Sequence, residues 1–162
     1  MTGSPSRLLI DTCIWVDSYL GFRPGGTVAS ALICKAGLLG VDILFSATTA
    51  KDVYYLVGKL LKAKACEGGQ SLGKGDALAI RSLAWSCVAN MGEIGTMVGM
   101  DASDMWLAEK YREIHDDFED DLVLAAMERC GADFLVTNDE RLLRDAPVAA
   151  LSAADALKLL GT

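Results

Sequence analysis

"GADFLVTND" (Gly131–Asp139) sets a short apolar run between a glycine and an Asn-Asp pair. The run Ala132–Thr137 is too short for an ordinary helix and is bounded by turn residues, so it reads as a strand. Its apolar residues are consecutive rather than alternating, the pattern of a strand buried on both faces. Two other segments read alike. "RLLID" (Arg7–Asp11) is a short buried strand that ends on an acid, and "VDILFS" (Val41–Ser46) is a second. "EIGTMVGM" (Glu93–Met100) is ambiguous and best taken as a short strand; "PVAAL" (residues 147–151) fits a last edge strand.

Longer helix-compatible segments separate these runs. "TCIWVDSYL" follows the first strand and is broken by "GFRPGG". Thr27–Leu39 is closed by Gly40, and a helix capped by Thr48 or Thr49 runs through "KDVYYLVGKLLKAKA". After the flexible connection Cys66–Gly75, Asp76–Asn90 has helical period. "DASDMWLAEKY" starts on Asp and Ser cap candidates, and "SAADALKLL" has Ser152 as its cap. Strands alternating with helices imply a parallel sheet covered on both faces, a three-layer α/β/α sandwich in one domain spanning residues 1–162. Ligands of such sheets gather at the carboxyl ends of the strands. Asp11 ends the first strand and Asp139 follows the "FLVT" strand, while the second strand leads into a helix carrying Asp52.

Bulk properties narrow the function. The chain is 52% apolar, with no run near the ~18–20 apolar residues of a membrane span. "MTGSPSRLLIDT" reads as no signal peptide, so a cytoplasmic protein is expected. The five cysteines are widely spaced without a CxxC pair, and His115 is the sole histidine. Reduced thiols, rather than a zinc site, are the reading. The net charge of −7 is uneven: residues 101–121 hold nine acids and two bases, residues 51–81 six bases and three acids. An acidic chain argues against broad charge-driven nucleic-acid binding, but not against a basic flank beside a cation-filled acidic site.

The densest acidic stretch, "DDFEDD" (Asp116–Asp121), opens a helix over Phe118–Gly131. Acids in a first turn complement the helix dipole. On the helical wheel Asp121 falls with Glu128 and Arg129 on the solvent face, and Asp120 falls beside Leu124 and Met127 on the core side. Glu119 also borders the apolar arc and is a second candidate. Carboxylates brought together at one sheet edge repel by about 4 kcal/mol per pair at 4 Å and an effective dielectric near 20. They must protonate, find a base or bind a hard cation, for which Mg²⁺ or Mn²⁺ is suited. Such a site suits phosphodiester hydrolysis.

"LLIDTCIWVD", "FSATTAKDVYYLV", "DFEDDLVLAA" and "GADFLVTND" resemble, in order and spacing, the PIN domains, small ribonuclease domains of which many are toxins of type II toxin–antitoxin systems. The resemblance covers about Arg7 to Leu160. It implies Asp11, Asp120 and Asp139 as metal ligands, Asp52 as the remaining acid of a catalytic four, and Thr137 as a supporting polar group. Asp52 stands where such proteins often have Glu, and Cys13 where many carry Asn, which removes a polar neighbour of the site. The implied substrate is single-stranded RNA, attacked by a metal-activated water, with Lys59 and Lys62 as backbone contacts, an antitoxin as partner and a homodimer as assembly. Tyr54 leans to the core and Tyr55 to solvent; Trp15, Trp85 and Trp106 are expected in the core or an oligomer contact. A PIN-like scaffold without catalysis is the alternative. A phosphate-accepting Asp11 is disfavoured because "DTCIW" lacks a second acid two residues on.

Overall fold

The structure, a computed structural model, describes residues 5–161; the first four residues of the segment read as lacking a signal peptide lie outside the described residues. Strands β1 (Arg7–Ile10), β2 (Asp42–Ser46), β3 (Thr96–Val98), β4 (Phe134–Val136) and β5 (Ala150–Leu151) form one sheet in the order β3-β2-β1-β4-β5. Every neighbouring pair is parallel. The chain builds outward from β1 to β3 on one side and then returns to lay β4 and β5 on the other. The order therefore reverses between β1 and β4, and a crevice at the carboxyl ends of these two strands is the ligand position of open α/β sheets.

The helices are α1 (Thr12–Tyr19), α2 (Gly26–Leu38), α3 (Ala47–Ala65), α4 (Lys74–Ile94), α5 (Ala102–His115), α6 (Phe118–Cys130), α7 (Glu140–Asp145) and α8 (Ala153–Leu159). None among the described residues is long and apolar enough to cross a membrane. Side chains of β1 alternate between two cores, as strand geometry requires. Leu8 and Ile10 pack with Ile14, Trp15, Leu32, Val53, Met91 and Ala156. Leu9 joins Leu44, Leu135, Leu107, Leu124 and Leu142 on the opposite face. The three layers expected from the sequence are those observed. One element was not anticipated: α7, six residues long, is too short for a helical period to register.

Two local expectations change, for a helix cap and for the start of α6, and the tryptophans divide between the two places expected for them. Ser46, not Thr48 or Thr49, caps α3, its hydroxyl accepting the Thr49 N–H at 3.0 Å. Trp85 and Trp106 lie outside the core at 61% and 65% exposure, while Trp15 is fully buried. Asp121, placed on a solvent face by the wheel, is 2% exposed, and Asp120 is half-buried. The reason is that α6 lies between the sheet and α5, so every residue from Asp121 to Met127 is buried. A wheel assumes one covered face, and α6 has two.

The α5–α6 pair is clamped by a buried charge. Asp104, which is 1% exposed, pairs with Arg129 near the end of α6. Arg129 also reaches Asp101 at 2.8 Å and the Gly99 carbonyl at 3.2 Å. Gly131 then stops α6 with φ at 62°, a left-handed conformation that suits glycine. Asp133 accepts hydrogen bonds from the Ser6 and Arg7 N–H groups at 2.7 and 2.9 Å, which fastens the start of β4 to that of β1. Removing Arg129 leaves Asp104 buried and uncompensated. Arg129→Ala is expected to lower the urea midpoint clearly, whereas Lys158→Ala, which breaks only the exposed pair to Asp155, should leave it nearly unchanged.

Candidate active site

β1 and β4 end side by side, and both continue into polar residues. The Asp11 N–H still donates to the Val136 carbonyl at 3.0 Å, so the sheet ladder fixes the Asp11 backbone. Its Oδ1 accepts the Thr12 N–H at 2.6 Å and caps α1. Its Oδ2 accepts the Thr137 hydroxyl at 2.7 Å and the Cys13 thiol at 3.3 Å. The Thr137 oxygen in turn accepts the Asp139 N–H at 3.0 Å. One fully buried hydroxyl thus links the acids that follow the two strands.

Asp139 is exposed and uses Oδ1 to accept the Arg141 and Leu142 N–H groups at 2.8 and 3.0 Å, capping α7. The Asn138 side-chain oxygen accepts the Ala153 N–H at 3.2 Å at the start of α8. Each residue of "TND" therefore joins a different element to the end of β4.

Asp11 is 8% exposed. Burial pushes its carboxyl above the ordinary carboxylate value. Hydrogen bonds from Thr137, Cys13 and Thr12 oppose that rise, and the Asp139 charge adds to it. Burial, followed by the Asp11 charge, pushes the Cys13 thiol up to about 12, so at neutral pH the group is a protonated donor and not a nucleophilic thiolate. Cys13 sulfur also accepts the Asn138 N–H at 3.4 Å and lies 3.6 Å from Thr137 Oγ1. The expected loss of a polar neighbour at this position does not occur, because the thiol bridges both strand ends. Only its spacing, two residues after Asp11, signalled this in the sequence.

The other candidate acids sit differently. Asp52 is half-buried in α3 and pairs with Lys51 at 2.9 Å. The Asp52 carboxylate holds the Lys51 ammonium above its ordinary value, with a smaller contribution from Glu119 in the first turn of α6, and helices α3 and α6 touch. Asp120 occupies the first turn of α6, where Asp117 caps the helix through the Glu119 and Asp120 N–H groups. Among the described residues, no three His, Cys, Asp or Glu side chains come close enough to grip one ion. The Asp11 carboxylate and the Asp139 backbone are linked through Thr137 Oγ1, and no three of the four expected acids form one group among the described residues. Lys59 and Lys62 lie further along α3, exposed.

The description "PIN domain" belongs to the family whose profile matches residues 7–141. No curated protein sequence matches the chain. Among solved structures, the fold is similar to VapC20 of Mycobacterium tuberculosis, described as a sarcin-ricin loop cleaving toxin, at 14% identity and a TM-score of 0.58, covering 79% of this chain and 86% of that one. It is also similar to VapBC2 of Rickettsia felis, solved bound to a DNA fragment from its promoter, at 14% identity and a TM-score of 0.64, covering 90% of this chain and 98% of that one.

The buried Asp11 carboxyl has a consequence for stability. Its folded-state value lies above the unfolded one of 3.8, so below pH 3.8 both states hold the proton and the site carries no penalty. As pH rises through the folded value, the folded chain must bury the charge and stability falls. Asp11→Asn has no proton to lose. In metal-free buffer it should therefore unfold at higher urea than the parent at pH 7, with the gap closing as pH falls toward 3.8. Equal midpoints at pH 7 would contradict this account.

Proposed function

The chain belongs to the PIN domain family, and from that premise we propose that it is a Mg²⁺- or Mn²⁺-dependent endoribonuclease that hydrolyses phosphodiester bonds in single-stranded RNA, serving as the toxin of a type II toxin–antitoxin pair. The observation that carries this reading is the buried Asp11, joined to Asp139 through the Thr137 hydroxyl where the strand order reverses.

The donor set fits a hard divalent cation. Burial and the Asp139 charge both disfavour an ionised Asp11 in the bare protein, and a cation relieves both. The ligands are oxygens, and Mg²⁺ is commonly bound through one or two carboxylates with water completing its shell. No cage of three protein acids is therefore required. Asp11 and Asp139 would hold the ion, with Asp120 as the third acid. Bound there, it would activate water and neutralise charge on the scissile phosphate.

The chain's own residues have separable roles in this reading. Thr137 and Cys13 fix Asp11 Oδ2 in one orientation. Two bare carboxylates would repel a phosphodiester, so Asp11 and Asp139 discriminate against substrate until their charge is compensated. Asp52, neutralised by Lys51, borders the substrate path, and Lys59 and Lys62 meet the phosphate backbone. The antitoxin partner is proposed on the likeness to VapBC2, and a homodimer is proposed as the assembly.

Asp52 paired with Lys51, and Cys13 beside Asp11, favour a second reading, a PIN-like scaffold without catalysis. One experiment separates the two. Cleavage of single-stranded RNA should require Mn²⁺ or Mg²⁺, stop in EDTA, and fall by at least about 100-fold in Asp11→Asn and Asp120→Asn, and Mn²⁺ should raise the thermal midpoint of the parent but not of Asp11→Asn. Metal-independent cleavage, or full activity in both variants, would remove the assigned roles. No cleavage together with no Mn²⁺ shift would leave the scaffold.

A further inference from the structure

The chain is acidic, yet its α3–α4 hairpin is basic and carries exposed aromatic rings. Lys51, Tyr55 and Lys59 are spaced four residues apart, and Lys62 follows three later, so all four lie along one side of α3. At 1.5 Å per residue this stripe is about 16 Å long. It starts where α3 leaves the carboxyl end of β2, the edge that also bears Asp11, and runs outward.

The rings are held in place while their faces stay open. Tyr54, half-buried, meets Tyr55 edge-on at 5.5 Å and Trp85 at 5.4 Å. Tyr55 and Trp85 are 66% and 61% exposed. Two clefts flank Tyr55. One, of about 220 Å³, is lined by Lys51, Tyr55 and Trp85; the other, of about 530 Å³, by Tyr55, Lys59, Lys62 and Arg81. Among the described residues, Lys59, Lys62 and Arg81 form no salt bridge.

Cations alternating with open aromatic faces match the chemistry of a single strand, whose bases stack and whose phosphates carry charge. A purely apolar partner would leave Lys59, Lys62 and Arg81 unmatched. We propose that this face is the track for single-stranded RNA flanking the scissile bond, with Tyr55 and Trp85 stacking on bases and Lys59, Lys62 and Arg81 meeting phosphates. The proposal rests on the ribonuclease reading above and extends it to where the substrate lies.

The test measures binding without cleavage. Full-length Asp11→Asn protein in EDTA is titrated against a fluorescein-labelled 12-nucleotide oligouridylate and read by anisotropy. Tyr55→Ala and Trp85→Ala in this background should each weaken binding by about 5- to 100-fold, while Tyr55→Phe stays within about twofold of its parent. Lys59→Gln with Lys62→Gln should lower the slope of log affinity against log salt by about 1.4. Circular dichroism checks that each variant is folded, as expected for exposed positions. Unchanged affinity in the aromatic variants overturns the track, as does a parent that does not bind the oligonucleotide. Loss of self-association by sedimentation with unchanged RNA affinity also overturns it and assigns the face to a second copy of the chain. Binding through this face without metal-dependent cleavage sustains the track while the nuclease reading falls. Cleavage with unaltered binding does the reverse.

Discussion

A single buried hydroxyl holds the centre of this molecule together. Thr137 gives its proton to Asp11 and takes one from the Asp139 backbone, so the ends of β1 and β4 are joined by a side chain just beyond the last ladder hydrogen bonds. An alcohol suits the position because it donates and accepts through one atom. Valine, of similar shape, would leave a buried carboxylate short of a donor and a backbone N–H short of an acceptor.

The central placement of β1 gives this junction its leverage. With β2 on one side and β4 on the other, β1 brings Asp11 to the edge with its backbone held by a ladder hydrogen bond to Val136. The surrounding layers supply rigidity rather than chemistry. Trp15, Ile14 and Val136 pack beneath the site on one face, and Leu9, Leu124 and Leu135 on the other. Asp133 fastens the amino ends of the same two strands, so the β1–β4 pair is pinned at both ends.

The sheet was legible in the sequence because buried parallel strands read as short apolar runs between turn residues, and "RLLID", "DILFS" and "FLV" all do. Asp11 and Asp139 were legible as acids at the carboxyl edge of the sheet because each follows a short apolar run. The first turn of α6 was not. Its wheel put Asp121 in water, because periodicity reports how a helix meets one surface and knows nothing of α5 laid over the other side. The Cys13 contacts were equally hidden, since a cysteine in an apolar run looks like core until Asn138, 125 residues away, is brought against it. Asp52 shows a third limit: its position in the chain was plain, and its capture by the adjacent Lys51 depends on side-chain geometry.

Asp11 and Asp139 are also the N-caps of α1 and α7. An N-cap aspartate replaced by alanine costs a helix about 1 kcal/mol, so folding alone asks for a side-chain oxygen at both positions, which asparagine supplies as well as aspartate. A short polar cap is therefore expected at both places with or without chemistry, and only the choice of aspartate over asparagine bears on an ion.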